Sequence, residues 1–416
     1  MTVHIIGAGL AGLSAAVRLA QGGAKVSLIE ASAQAGGRCR SYVDPVLEMR
    51  LDNGNHLVLS GNHDTYAYLE ILGAADRLVG PSEAVLDFHD LTAGERWRIH
   101  ANPGPVPWWL LSPARRVPGT RAADYLALGR LLTASRSDRI DQVVSCRGAL
   151  WDRLMEPFLL AALNTAPAEG SAKLAGAVIA ESLARGGRAY QPRVAHPTLS
   201  AAFVEPALAY LNARGASVRY ATPLRNLVFE GQTVSALGFA DGEVRLGRND
   251  QVVLAAPAWI SPGLVPGLTA PDRFNAIVNA HFKIAPPAGL TPIVGVIGGA
   301  AQWIFAFEDR ISVTVSAADD MADQDREALA GRFWADIATV HGLPPEPPPS
   351  RIVKERRATF HATPEQDARR PPATTAWNNL FLAGDWTATG LPATIEGAIR
   401  SGATAARLAL SSAAKP

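Results

Sequence analysis

Three glycines and a glutamate near the start of the chain have the types and spacing for one task. Gly7, Gly9 and Gly12 fit G-x-G-x-x-G within VHIIGAGLAGLSAAVRL, and Glu30 follows 18 residues after Gly12. In that spacing one glycine makes a tight turn, the next lets backbone approach a pyrophosphate, and the third lets a helix lie close on a strand. Leu10 and Ala11 open the helix, so its free N–H groups and the positive end of its dipole face the phosphates. A carboxylate at Glu30 accepts hydrogen bonds from ribose hydroxyls and repels a 2′-phosphate. The pattern predicts an adenine dinucleotide other than NADP.

The elements that must hold these residues are legible beside them. Val3 to Ile6 reads as a short buried strand, Leu10, Leu13, Ala16, Val17 and Ala20 recur at helical spacing, and KVSLIE reads as a second strand ending in Glu30. Near the other end, NNLFLAGDWTATGLPATIEGAIRSGATAARLAL reads as a strand over 380–383, a Gly384-Asp385 turn and a helix entered after Pro392. Ile395, Ile399, Gly402, Ala403 and Ala406 make one packing face of that helix.

The stretch EASAQAGGRCRS places Gly36, Gly37 and Arg38 just past the ribose-binding strand, where an NAD enzyme has no need of them. Together with the first motif it resembles the dinucleotide-binding sequence of the amine oxidase and phytoene desaturase superfamily of flavoproteins. The resemblance implies FAD, with Gly36 and Gly37 along the pyrophosphate, Arg38 in contact with it, and Asp385 on the ribityl chain and pyrophosphate; the cofactor is expected to be non-covalent, because neither Cys39 nor Cys146 lies near the C-terminal flavin segment. The resemblance also implies a strand whose Leu224 meets the adenine through its backbone. The helix start at Thr394 and Ile395 then faces the flavin pyrimidine, where the dipole stabilises negative charge on the reduced ring. The implied fold is α/β: a Rossmann-like FAD-binding domain of the amine oxidase/phytoene desaturase type with a mixed α+β substrate domain. The expected FAD-binding segments are 1–80, 191–260 and 373–416, and the expected substrate segments are 81–190 and 261–372.

Composition agrees with two globular lobes. The 416 residues are 48% hydrophobic and 19% charged, with a net charge of +1, which gives no support for nucleic-acid binding. Cys39 and Cys146 make neither a disulfide framework nor a zinc site, so a reducing cytoplasm is expected. No cleavable signal precedes the first strand, and no apolar run approaches the length of a spanning helix. A second G-x-G-x-x-G is absent, and VIGGAAQW has the wrong spacing. Electrons must therefore pass between the flavin and the substrate, oxygen, free reduced flavin or a partner protein. Helical patterns are expected in RAADYLALGRLL and LWDRLMEPFLLAAL, strands in TPIVGVI, WIFAFED and ISVTVSA, and a proline-rich loop in LPPEPPPSR.

LDNGNHLVLSG, YLEILGA, WDRLMEPFLLAALNT, AIVNAHF and FLAGDWTATGLPATIEGAIRSG further resemble the hydroxysqualene dehydroxylases of bacterial hopanoid synthesis. The resemblance implies a reductive reaction in which hydroxysqualene loses its allylic hydroxyl and gains a hydride from reduced FAD, giving squalene. An electron donor must then reduce the FAD. The departing hydroxyl needs a proton, and an acid in an apolar tunnel has its pKa raised toward the working range. Glu396, on the helix that begins at the flavin, and His56, in DNGNH, are the candidates. The plainer readings are a helix-start carboxylate or a partner of Arg38 for Glu396, and a hydrogen-bonded core histidine for His56. Asp52 and Asn53 read as a turn with cofactor contact as a by-product.

PGPVPWWLLSPARRVPG joins Trp108, Trp109, Leu110 and Leu111 to Arg115 and Arg116, with Arg121 close by. This is the composition of a segment lying in a membrane interface, and equally that of two tryptophans packed inside the substrate lobe. Three function classes stand: the lipid reductase; a desaturase or oxidase of a polyene or an amine, for which Lys283 is the one candidate flavin-side lysine; and a flavin-bearing scaffold without catalysis.

Overall fold

The computed structural model describes residues 1–413. Strand β1 (Thr2–Ile6) is buried along almost its whole length, as a central strand covered on both faces must be. Helix α1 (Leu10–Gln21) follows and ends where Gly22 and Gly23 turn the chain, Gly23 at φ +79°. It leads into strand β2 (Lys25–Ile29). β1 lies at the centre of a five-stranded parallel sheet ordered Ser217–Arg219, β2, β1, Gln251–Leu254, Leu380–Leu382. Pieces almost 400 residues apart thus form one layer.

The C-terminal helix, Ile395–Ala413, covers this sheet beside α1. Ile399, Ala405, Ala406 and Ala409 are buried, whereas Ala403 turns partly outward. Gly402 sets the spacing: a Cβ there would come within 2.1 Å of the Ala11 carbonyl oxygen. The Ser14 hydroxyl donates to the Ile399 carbonyl (2.8 Å), joining the two helices.

A second, seven-stranded sheet runs Ser350–Phe360, Phe274–Lys283, Arg310–Val315, Trp303–Ala306, Ile293–Ile297, Val85–Asp90, Glu95–His100. Its pairings are antiparallel except that between Val85–Asp90 and Ile293–Ile297. One face packs on the helix Arg326–His341 through Phe333, Trp334 and Ile337. Phe88, Trp97, Trp303 and Phe305 instead join the core that the helices between 108 and 185 complete. Phe88 and Trp97 are cross-strand partners with stacked rings 5.5 Å apart.

The strands expected from TPIVGVI, WIFAFED and ISVTVSA are present, and Gly298 (φ +74°) turns VIGGAAQW into a hairpin. The hairpin Val85–His100 was not expected, because a substrate segment rich in aromatics and proline read as loops and helices. Its alternation was present in VLDFHD and ERWRIH, closed by Asp90, whose carboxylate accepts the Thr92 and Ala93 N–H groups (3.0 and 2.9 Å). The expected helix at 121–132 is split into Ala122–Leu126 and a 3-10 stretch, Ala127–Thr133. The helix at 150–163 begins as a π turn, Trp151–Met155, ahead of Pro157, which has no N–H to donate.

Candidate cofactor site

The glycine loop between β1 and α1 is shaped by two contacts of the chain with itself. Gly7 adopts φ +105°, and a Cβ on Gly12 would lie 1.9 Å from the Gly7 carbonyl oxygen, so both positions require glycine. Gly9 is different. Its backbone is extended (φ −72°, ψ 177°), and a Cβ there would meet no heavy atom within 4 Å. The open space above Gly9 is the cradle that a pyrophosphate would fill. The N–H groups of Leu10, Ala11 and Gly12 precede the first intrahelical bond, which Leu13 donates to the Gly9 carbonyl (2.9 Å).

The second glycine pair lies directly on the first. The Gly36 N–H donates to the Ala8 carbonyl (2.8 Å), Gly36 bridges Gly9, and Gly37 stands against the Gly9 Cα. Positive φ at Gly36 (+110°) and Gly37 (+56°) makes this approach accessible. Glu30 directly follows β2, beside the loop. One of its carboxylate oxygens accepts the Ala8 N–H (2.7 Å), and the other accepts the N–H and hydroxyl of Ser32 (2.8 and 2.7 Å). These bonds aim the carboxylate and leave acceptor positions for ribose hydroxyls.

Arg38 and Asp385, 347 residues apart, meet with Nη2 2.7 Å from Oδ1. Burial opposes the Arg38 charge, but the Asp385 carboxylate prevails and raises its pKa. Asp385 is itself buried. Arg370, which the sequence analysis did not single out, supports the loop from below: its guanidinium pairs with Asp367 (2.9 Å). It also donates to the Asp385 and Thr387 carbonyls (3.1 and 2.6 Å). No local pattern marks Arg370. Gly384 (φ +147°) lies against the Trp386 indole, and its N–H donates to the Ser401 hydroxyl (2.8 Å). Thr394 caps the C-terminal helix, accepting the Gly397 N–H at its hydroxyl (3.0 Å), and Ile395 begins it, buried. Leu224 stands in a connection between Ser217–Arg219 and Asn226–Glu230, not in a strand, because the chain there is tied to the Glu30 turn. The Ala221 and Thr222 N–H groups donate to the Ser32 and Glu30 carbonyls (2.9 Å each). Leu224 is partly buried against the core.

The structure corrects the acid assigned to Glu396. One carboxylate oxygen accepts the Asp64 N–H (3.0 Å) and Arg400 (3.1 Å); the other accepts the N–H and hydroxyl of Thr65 (2.9 and 2.7 Å). Two of these bonds, from the Asp64 and Thr65 N–H groups, satisfy first-turn donors of helix α2 (His63–Leu72). Glu396 is a capping group for α2 and a partner of Arg400, not of Arg38. Arg400 also makes a two-bond pair with Glu181 (2.9 and 2.8 Å) and bonds Asp64 (2.9 Å), so it clasps the C-terminal helix, α2 and the helix Ala172–Glu181.

His56 is half-buried near Arg38, and burial, then the Arg38 charge, pushes its pKa down to about 4. At neutral pH it is an uncharged imidazole, which carries no imidazolium proton of its own but can take up a proton at one ring nitrogen and pass one on from the other. Asp52 is a buried hub rather than a turn residue: it accepts the Ser41 hydroxyl (2.6 Å) and the Leu199 N–H (2.9 Å), and its carbonyl accepts His281 Nε2 (3.1 Å). Asn53 donates to Glu355 (3.2 Å), a half-buried carboxylate whose charge is also felt by Arg38. Sequence reasoning missed Glu355 because it lies on the far strand Ser350–Phe360. Lys283 is exposed and donates to the Leu47 carbonyl (2.7 Å), so it does not serve as a flavin-side lysine. Cys39 is buried, its thiol pushed up to about 12 by burial, and both cysteines are free.

Residues 10–410 match the family described as flavin containing amine oxidoreductase. A hydroxysqualene dehydroxylase from Zymomonas mobilis subsp. mobilis is 52% identical over 408 residues, covering 98% of this chain and 99% of that protein. One from Rhodopseudomonas palustris is 52% identical over 410 residues, covering 98% of each. The chain belongs to the flavin-containing amine oxidoreductases, in the branch of the hydroxysqualene dehydroxylases. It is an FAD-dependent oxidoreductase, and the cradle over Gly9, the Glu30 carboxylate and the Arg38–Asp385 pair fit that cofactor. Among solved structures, cyclohexylamine oxidase from Brevibacterium oxydans superposes with a TM-score of 0.72 at 16% identity, covering 99% of each chain. Putrescine oxidase bound to putrescine superposes with a TM-score of 0.70 at 17% identity, covering 98% of each. At those identities the shared property is the fold.

Proposed function

We propose that this flavoenzyme removes the allylic hydroxyl of hydroxysqualene reductively, giving squalene and water. The observation that carries the reading is the 52% identity, along the whole chain, to relatives named for that reaction. The C–O bond breaks, its electron pair leaves with oxygen, and the oxygen takes up a proton to depart as water. Reduced FAD, when bound, supplies the two electrons and the hydrogen that the allylic carbon gains. The chain holds the cofactor at the Gly9 cradle, sets its ribose on Glu30 and positions the Gly384–Asp385 turn through Arg38 and Arg370. No second dinucleotide motif exists to take electrons from NADPH, so the reductant is a separate species. The exposed Lys283 weighs against an amine oxidase reading.

Two polar side chains near Arg38, Glu355 and His56, are the groups we assign to moving the proton. Glu355→Gln and His56→Gln separate them. Loss of the group in the transfer slows single turnover by at least about 100-fold, and loss of the other leaves it within a few-fold. The deciding experiment is anaerobic: the enzyme is reduced with dithionite and mixed with hydroxysqualene while flavin absorbance and extracted lipid are followed. Reoxidation coupled to squalene formation is expected. A flavin that stays reduced with hydroxysqualene, yet bleaches from its oxidised form with squalene, would replace this reading with that of a desaturase.

A further inference from the structure

Thirteen large apolar side chains are exposed among the described residues, and five of them lie within a short stretch: Val106 (69% exposed), Trp108 (54%), Leu111 (76%), Leu126 (74%) and Leu132 (43%). Such clustering within 27 residues of a 416-residue chain is not the scattered exposure of an ordinary surface. The stretch is built as one layer. Trp109 packs edge-on against Tyr125 at 5.6 Å, and the Tyr125 hydroxyl accepts the Val117 N–H (3.0 Å), tying the turn Trp108–Leu111 to the helix Ala122–Leu126. Trp109, Leu110, Val117 and Leu131 are buried and anchor the layer on the core. The two tryptophans divide between the sequence readings: Trp109 packs inside, whereas Trp108 stays exposed together with Leu111 and Leu126.

Charge identifies the occupant. Residues 106–132 contain Arg115, Arg116, Arg121 and Arg130 but one carboxylate, Asp124, which accepts the Arg121 N–H (2.7 Å). None of the four arginines pairs with a carboxylate among the described residues, whereas the next two, Arg136 and Arg139, pair with Asp367 and Asp141. The Arg115 guanidinium lies over the Trp108 ring, 5.3 Å from its centroid. Unpaired arginines around aliphatic side chains and an interfacial tryptophan match a surface that is apolar within and anionic at its rim. A second copy of the chain would set four arginines against four, so self-association is disfavoured on the same evidence.

We propose that the 106–132 layer docks on a bilayer containing anionic phospholipid, with Trp108, Leu111 and Leu126 in the interface and the four arginines at the headgroups. The docking stands on this surface alone and is independent of the reaction proposed above. It is tested by flotation of the full-length, FAD-loaded protein with vesicles of phosphatidylcholine, or of phosphatidylcholine mixed with phosphatidylglycerol. Flotation is expected with the mixed vesicles and is lost at high salt. Leu111→Ser/Leu126→Ser and Arg121→Glu/Arg130→Glu each lower partitioning by roughly tenfold or more, with flavin spectrum and melting temperature unchanged. Absence of flotation, or equal flotation of the double variants and the parent, overturns the proposal. So does a concentration-dependent dimer in sedimentation velocity that Leu111→Ser abolishes, because the face would then belong to a second copy.

Discussion

Gly9 and Gly12 lie three positions apart in one motif, yet they answer to different physical demands. Gly12 is required by the protein itself, since a methyl group there would strike the Gly7 carbonyl; Gly12→Ala is expected to cost about 1–3 kcal/mol or more by overpacking, read as a lower denaturant midpoint. Gly9 has an ordinary backbone conformation and empty space above it, so its glycine serves only what approaches from outside. Gly9→Ala should therefore fold with the parent's stability as apoprotein but retain FAD at least roughly tenfold more weakly, about 1.4 kcal/mol, measured by flavin absorbance after gel filtration. Equal FAD retention by Gly9→Ala would mean that the pyrophosphate lies elsewhere.

Between elements, the controlling contacts join pieces that the sequence separates widely. Glu396 caps α2 across more than 330 residues, doing for another helix what a Ser or Asp at the N-cap does locally. Glu396→Gln keeps one acceptor oxygen and should cost about 1–2 kcal/mol in urea unfolding while leaving the pH dependence of single turnover unchanged. A turnover profile that loses an ionisation in this variant would return Glu396 to the chemistry. Arg400→Ala removes the cation among Glu181, Asp64 and Glu396 and leaves three carboxylates facing one another. It should cost about 2–3 kcal/mol, more than the loss of the Glu396 cap.

For the molecule as a whole, three histidines shielded from water weaken the fold in acid. Burial, the largest cause in each case, holds His56 and His341 at about 4 and His281 at about 3. Each folded-state value lies below the ordinary one near 6.5, so between pH 6.5 and about 4 the unfolded chain binds protons that the folded chain refuses. Stability therefore falls as pH drops through that window, by up to about 1.4 kcal/mol per pH unit for each such histidine. Melting temperatures measured from pH 7 to pH 5 should decline, and His341→Gln should flatten the decline. An unchanged slope in that variant would show that His341 titrates normally in the fold.

The cofactor loop, its acidic partner and the C-terminal helix were legible because each is encoded within about thirty consecutive residues, where glycine positions and hydrophobic period speak directly about backbone geometry. The family, and with it FAD, was legible for the same reason. The roles of Glu396, His56, Asp52, Lys283 and Trp109 were not, since each depends on which donors, charges or empty space the distant chain brings alongside. A carboxylate reads the same whether it meets a substrate or the first turn of α2. Only packing decides how far a side chain is removed from water and which groups fill its hydrogen bonds. The cradle above Gly9, the clasp at Arg400 and the exposed layer at 106–132 are products of that packing.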